Sequence, residues 1–274
     1  MALVGMSGAA ANVASAYART GDLTGSPPSQ HLLQMAANIE LAELMGRATH
    51  LRGASIPLSE YRTFSGIGAV VCTVDGKRHA STAFLVGKFD IAVTVAHTFE
   101  FKGRQARPEE CLYLGTGPFG QIRERIAVEA IKSQWRLQPD TFGRPDSDLA
   151  VIRLQTPVQL AQRTLSFSRF AHTGAPVALI GFSREVGVDP LKRRRRGNVY
   201  PRPGNSCVKF AHDVNSQAIS SGAPLIDRRD GVVIGIHSNL RGVLPSGGTD
   251  CADRGNAMLL MNQWLERTLR AEID

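Results

Sequence analysis

The chain has 274 residues, 43% of them apolar and 20% charged, a balance ordinary for a globular protein that excludes a chain too polar to bury a core. Its length suits one large all-β unit or two smaller domains. The net charge of +8 favours acidic partners without bearing on fold, and no apolar run reaches the length of a transmembrane helix.

The first segment, "MALVGMSGAAANVASAYA", is rich in small and apolar residues and ends in Ala-x-Ala patterns like a signal-peptidase site. It lacks a positive n-region, and Asn12 interrupts its apolar part. The expectation is a secreted or periplasmic protein, with a cytoplasmic one as the alternative. Residues 19–30 read as linker. The stretch "QHLLQMAANIELAELMGRATHL" places Leu32, Leu33, Ala36, Ile39, Leu41 and Leu44 at the spacing of an amphipathic helix, with Ser29 as its N-cap. The Pro-containing stretch near 53–60 breaks it. Residues 1–63 are therefore expected to be an N-terminal extension: a leader, a propeptide or a helical strap.

From about residue 64 the pattern changes to short β-rich runs. These are "GAVVCTV", "STAFLVG", "IAVTVAH", "LAVIRL", "PVALIGF", "CVKFAHDV" and "GVVIGIHS", separated by turns such as "DGK" and "GKFD". Many short strands over this length predict an all-β sandwich or barrel pair. The last segment, "NAMLLMNQWLERTLRAE", returns to helical spacing.

Four cysteines, Cys72, Cys111, Cys207 and Cys251, form no CxxC pair, so neither zinc nor redox chemistry is expected. Pairs Cys72–Cys111 and Cys207–Cys251 would each stay within one half of the chain; four free thiols are the alternative. The basic run Lys192 to Arg196 reads first as a solvated loop, then as a site of proteolytic nicking. Nucleic-acid binding comes third, since no RNA- or DNA-binding motif accompanies it.

Three polar residues carry the candidate chemistry. Acyl transfer by serine needs a base for the hydroxyl proton, an acid that orients the base, and donors for the oxyanion. Ser221 lies in "SSGAPLI", a tight turn feeding a strand. His97 ends the apolar strand of "VTVAHTF", and Asp148 precedes the strand of "DSDLAVIRL" with Asp146 as a rival. Each also has a bland reading, as a turn histidine, a capping aspartate and a turn serine.

Order and flanks together resemble the trypsin-like (chymotrypsin-fold) serine peptidases. "TVAHTF" is similar to that family's "TAAHC", "DLAVIRL" to "DIALLKL", and "SSGAPLI" to "DSGGPLV". The likeness covers roughly residues 64–271. It implies two six-stranded Greek-key barrels, residues 64–160 and residues 161–274 with the C-terminal helix, and a cleft between them. It further implies a serine endopeptidase acting on protein or peptide substrates without metal or cofactor. His97, Asp148 and Ser221 would form the triad, and the backbone N–H groups of Ile219 and Ser221 the oxyanion hole.

The chain departs from the family's Gly-Asp-Ser-Gly-Gly-Pro in instructive ways. Ser220 replaces the aspartate that would pair with a new N-terminal ammonium, so activation by that insertion is not expected. Ile219 replaces a glycine, and a β-branched residue resists the backbone angles that glycine tolerates. The alternative is thus a catalytically impaired trypsin-like fold that binds proteins. The resemblance puts Ser216, His237 and Ser238 at the substrate pocket, with no aspartate at its base. The histidine of "GIHS" resembles the glutamyl endopeptidases, where it meets an acidic side chain, although Leu240 and Arg241 replace the small residues such enzymes carry.

Overall fold

The run after residue 66, "IGAVVCTV", is almost wholly apolar and rich in valine and isoleucine, and it forms an eight-residue, mostly buried strand. In the computed structural model the described residues are 54–55, 58–101, 104–117, 122–142, 144–168, 170–182, 193–201, 210–214, 219–239 and 256–274. The helix read near residues 30–51, the leader, Ser216, Cys207 and Cys251 lie outside them.

Six strands close the first barrel. They are β2 (Ile67–Val74), β3 (Lys77–Leu85), β4 (Ile91–Thr94), β7 (Cys111–Thr116), β8 (Ile122–Ser133) and β9 (Ala150–Leu154). Their spatial order is β2-β3-β4-β9-β8-β7, with every pairing antiparallel. The return of β9 beside β4 is a Greek-key connection. A short hairpin, β5 (Glu100–Phe101) and β6 (Arg104–Gln105), follows the first turn after β4. The barrel's interior holds Val70, Leu85, Phe99, Tyr113, Ile152 and neighbouring side chains. Cys72 and Cys111 stand directly opposite in the β2–β7 register and form a disulfide.

The second barrel contains β10 (Pro176–Gly181), β11 (Arg193–Pro201), β12 (Phe210–His212), β13 (Pro224–Asp227), β14 (Val233–Asn239) and β15 (Asn256–Leu259). The order β11-β10-β13-β14-β15-β12 closes through a β11–β12 pairing. Two sequence expectations are corrected here. The basic run Arg193–Arg196 is not a solvated loop but the first half of β11, because pairing with β10 satisfies its backbone. Asn256–Leu259 is a strand, not the first turn of the terminal helix: its pairing with β14 and β12 closes the barrel and overrides local spacing.

A third apolar cluster joins the two barrels. It contains Phe84, Val93 and Leu149 from the first, Ile180, Ile226 and Ile236 from the second, and Trp264, Leu265 and Leu269 from the terminal helix. That helix, Gln263–Ile273, starts where Asn262 caps it, its side chain accepting from the Leu265 N–H at 2.8 Å. Its end is tied to the first barrel: Glu272 is buried and accepts from Arg153 at 2.9 Å and from Lys132. Before the first barrel, β1 (Ala54–Ser55) extends the second through β11. The next helix (Leu58–Phe64) sets Glu60 against Arg194, while the Tyr61 hydroxyl donates to the Thr116 carbonyl at 2.5 Å. Among the described residues no helix is long and apolar enough to cross a membrane.

Candidate active site

Strand β4 carries four buried residues in a row and delivers the chain into a single 3-10 turn, Ala96–Thr98. His97 is the partly exposed residue of that turn. Asp148 comes from the other side, at the entrance to β9, the strand paired with β4. The register of two neighbouring strands therefore brings His97 and Asp148, 51 positions apart, to one edge of the barrel.

The Asp148 carboxylate is fully buried and receives three donors. The His97 backbone N–H donates to Oδ1 at 2.8 Å, His97 Nδ1 to Oδ2 at 2.7 Å, and the Ser238 hydroxyl to Oδ2 at 2.7 Å. Three hydrogen bonds are what an ionised carboxylate out of water requires. Nδ1 thus carries the proton and Nε2 is the basic nitrogen. Burial alone would lower the pKa of His97, but the charge of Asp148 and its hydrogen bond outweigh burial and raise it. Asp146, the rival, is exposed and pairs with Arg144 at 3.0 Å.

Ser221 comes from the second barrel, in the turn before β13. Three interactions pin that turn. The Ser220 carbonyl accepts from Ala223 N–H at 2.9 Å, Gly222 N–H donates to the His237 carbonyl at 2.7 Å, and His237 N–H donates to Ala223 at 2.8 Å. From the first barrel, Thr82 of β3 donates its N–H to the Ser221 carbonyl at 2.8 Å and to the Ile219 carbonyl at 2.9 Å. These bonds tie the Ser221 turn to β3 of the first barrel, and Ser238, the residue after His237, reaches Asp148.

Gly222 shows why the approach is so close. Its φ is +83°, and a Cβ there would lie 2.1 Å from the Thr82 carbonyl oxygen and 2.5 Å from Thr94 Oγ1. Only glycine allows the turn to rest on β3. Ile219 has no such exemption, yet it takes a φ of +78°. Its carbonyl is held by both the N–H and the hydroxyl of Thr82, each at 2.9 Å, and its side chain is buried. The β-branched residue is thus held in the glycine region by fixed donors and packing. Since the Ser220 carbonyl points into the turn, the Ser221 N–H is directed away from it.

The pocket residues divide. Ser238 commits its hydroxyl to Asp148. His237 is buried in the second barrel, and its Nδ1 shares a 2.9 Å hydrogen bond with His212 Nε2. Burial, then the fields of His212, His97 and Arg195, push His237 well below the ordinary histidine value, while burial takes His212 to about 4.

The family model of the trypsin-like peptidase domain matches residues 81–236, more than half of the chain. This chain belongs to the trypsin-like peptidase domain family. Solved structures with a similar fold include a Glu endopeptidase in complex with MPD, with a TM-score of 0.59 and 13% identity over 82% of this chain and 99% of that one. A thermostable serine protease, AL20, from an extremophilic microorganism gives 0.58 and 15% over 77% and 98%. A protease from M. tuberculosis in its active form gives 0.52 and 16% over 81% and 91%. At these identities the likeness is one of fold. A comparison with the curated proteins returns no match.

Within this trypsin-like peptidase domain, sequence reading missed Thr82, Thr94 and His212. Thr82 is one polar residue in the run "STAFLVG", and nothing local marks it as the residue on which the serine turn rests. His212, in "KFAHDV", carried a signal: a histidine inside a strand pattern next to apolar positions.

Proposed function

We propose that this peptidase is a serine endopeptidase in which Ser221 attacks a peptide carbonyl. His97 Nε2 takes the serine proton and later gives it to the leaving amine, while Asp148 holds the tautomer and stabilises the imidazolium. The backbone N–H groups of Ile219 and Ser221 are proposed to receive the oxyanion. The observation that carries this reading is the buried Asp148 with its three donors, two of them from His97. A turn aspartate with no task would be left in water, as Asp146 is.

The preferred residue before the cut is proposed to be acidic. His237 supports this: it is buried, and its Nε2 has no hydrogen-bond partner among the described residues. A neutral ring whose Nδ1 accepts from His212 carries its proton on Nε2, a donor suited to a carboxylate. The disulfide supports a secreted or periplasmic location. The domain division 1–63, 64–160 and 161–274 is part of the same proposal, with Ala54 onward packed as one unit with the barrels.

Labelling by a fluorophosphonate probe, with Ser221→Ala as control, tests the nucleophile. A peptide panel varying only the residue before the cut tests specificity. Equal turnover in wild type and Ser221→Ala would leave the binding-module reading in its place. Cleavage after Phe, Leu or Arg in preference to Glu would remove the acidic preference.

A further inference from the structure

Thr82 of β3 is completely buried, and each of its polar atoms is bonded to another segment. Its N–H is shared, 2.8 Å from the Ser221 carbonyl and 2.9 Å from the Ile219 carbonyl. Its hydroxyl donates to the same Ile219 carbonyl at 2.9 Å and accepts at 3.1 Å from the N–H of Phe182, the residue after β10. Its carbonyl accepts from the Thr94 hydroxyl of β4 at 2.8 Å. The strand that leads to His97 thus steadies Thr82 from one side, and the second barrel from the other. The packing leaves no slack: a Cβ at Gly181 would lie 2.8 Å from Thr82 Oγ1, and one at Gly222 2.1 Å from the Thr82 carbonyl oxygen.

A threonine hydroxyl has one proton to give and two lone pairs. The Phe182 N–H can only donate, so it takes a lone pair and leaves the proton for Ile219. The Thr82 N–H is divided between two carbonyls, whereas among the described residues the hydroxyl donates to Ile219 alone. Ile219 needs such holding. Its φ is +78°, in a region that β-branched residues avoid. With its carbonyl bound on one side of Cα and its side chain buried on the other, φ is determined, and φ sets where the Ile219 N–H points.

We propose that Thr82 is a positioning residue for the oxyanion hole: its hydroxyl holds Ile219 in the left-handed conformation in which the Ile219 N–H serves as a donor. The proposal rests on the serine mechanism and the hole put forward above. A hole works because its donors are aligned before charge develops. Glycine reaches such a conformation unaided; isoleucine reaches it here through a hydroxyl supplied by the other barrel. Thr82 touches no reacting atom and acts only through Ile219.

The test reads the rate at which a fluorophosphonate labels Ser221, a reaction that places an oxygen of the probe where a peptide's oxyanion would develop. Thr82→Val keeps size and branching and removes the hydroxyl. Alone, it is expected to slow labelling by about tenfold or more, bounded by the 10²–10³ or so that a missing donor costs. In the Ile219→Gly background the same substitution is expected to cost less than about threefold, since glycine takes a positive φ without being held. Thr82→Ser, which keeps the hydroxyl, should label within about threefold of wild type. The pH of half-maximal labelling is expected to stay in place, because the His97–Asp148 pair is untouched; a shift would assign the loss to the base and overturn the proposal. A merely structural role would slow labelling by the same factor in both backgrounds. That equality would overturn the proposal, as would Thr82→Val labelling at the wild-type rate. Thermal unfolding reports whether each variant is assembled. If Thr82→Val does not fold, Thr82→Cys, whose thiol is a weak donor, is read in both backgrounds by the same criterion. A wild type that the probe does not label removes the serine mechanism itself. A labelled wild type with equal losses in the two backgrounds removes only the role of Thr82.

Discussion

Ile219→Gly separates strain from packing at the proposed oxyanion hole. Ile219 sits at φ +78°, where a side chain costs roughly 1–2 kcal/mol. Glycine would relieve that cost and would lose about 0.5–1 kcal/mol through its freer unfolded chain. These two effects nearly cancel. What remains is the side chain, 7% exposed, whose removal costs about 2–5 kcal/mol. The variant is therefore expected to be less stable, with a Tm lower by roughly 5–15 °C for a unit of this size. Turnover should change little, about threefold or less, because two Thr82 donors already hold the Ile219 carbonyl and a missing oxyanion donor would be worth about 10²–10³. Thermal unfolding, active-site titration and kcat on one peptide measure all three quantities. A glycine variant that is both more stable and at least tenfold faster would refute this reasoning and show strain at Ile219 to be rate-limiting.

Other expectations follow from the same geometry. His97 is raised above the ordinary 6.5 by Asp148 against the effect of burial, so the acid limb of kcat/KM should lie above that value; the protonated histidine's contribution to stability is full below 6.5 and is lost as pH rises through the folded value. Asp148→Asn should lower turnover by about 10⁴ and, by removing the charge that opposes burial, move the limb to lower pH; a pH–rate profile checks both. Gly222→Ala meets the Thr82 carbonyl at 2.1 Å, so fluorophosphonate labelling should fall more than about a hundredfold, and labelling at the wild-type rate would contradict the packing of this turn on β3. Removing the disulfide with Cys72→Ala and Cys111→Ala frees a loop with a separation of 39 residues, worth about 4 kcal/mol by chain entropy, measurable by denaturant unfolding.

Local sequence is informative where local physics suffices. Short β-rich apolar runs specify strands, and glycine at 222 specifies a turn that other residues resist. A histidine ending one buried strand and an aspartate starting another specify where polar groups leave the core, because a strand's period assigns each side chain to a face. The family resemblance rests on those signals, and the matched family domain and the pair of closed barrels agree with it. Other features were decided only by tertiary contact. Four arginines in a row look solvated until pairing with β10 turns one of them inward. "NAML" has helical spacing until two neighbouring strands need it to close a barrel. Asp148 and Asp146 are equivalent in sequence, and only the β4–β9 register buries one and leaves the other in water. Ile219 could be assigned a resisted conformation from its chemistry, but not the two Thr82 donors that hold it there, since those come from 137 positions away. Pattern reports what a residue does to its own segment; the donors, charges and walls around a site arrive from other segments, whose register no local period contains.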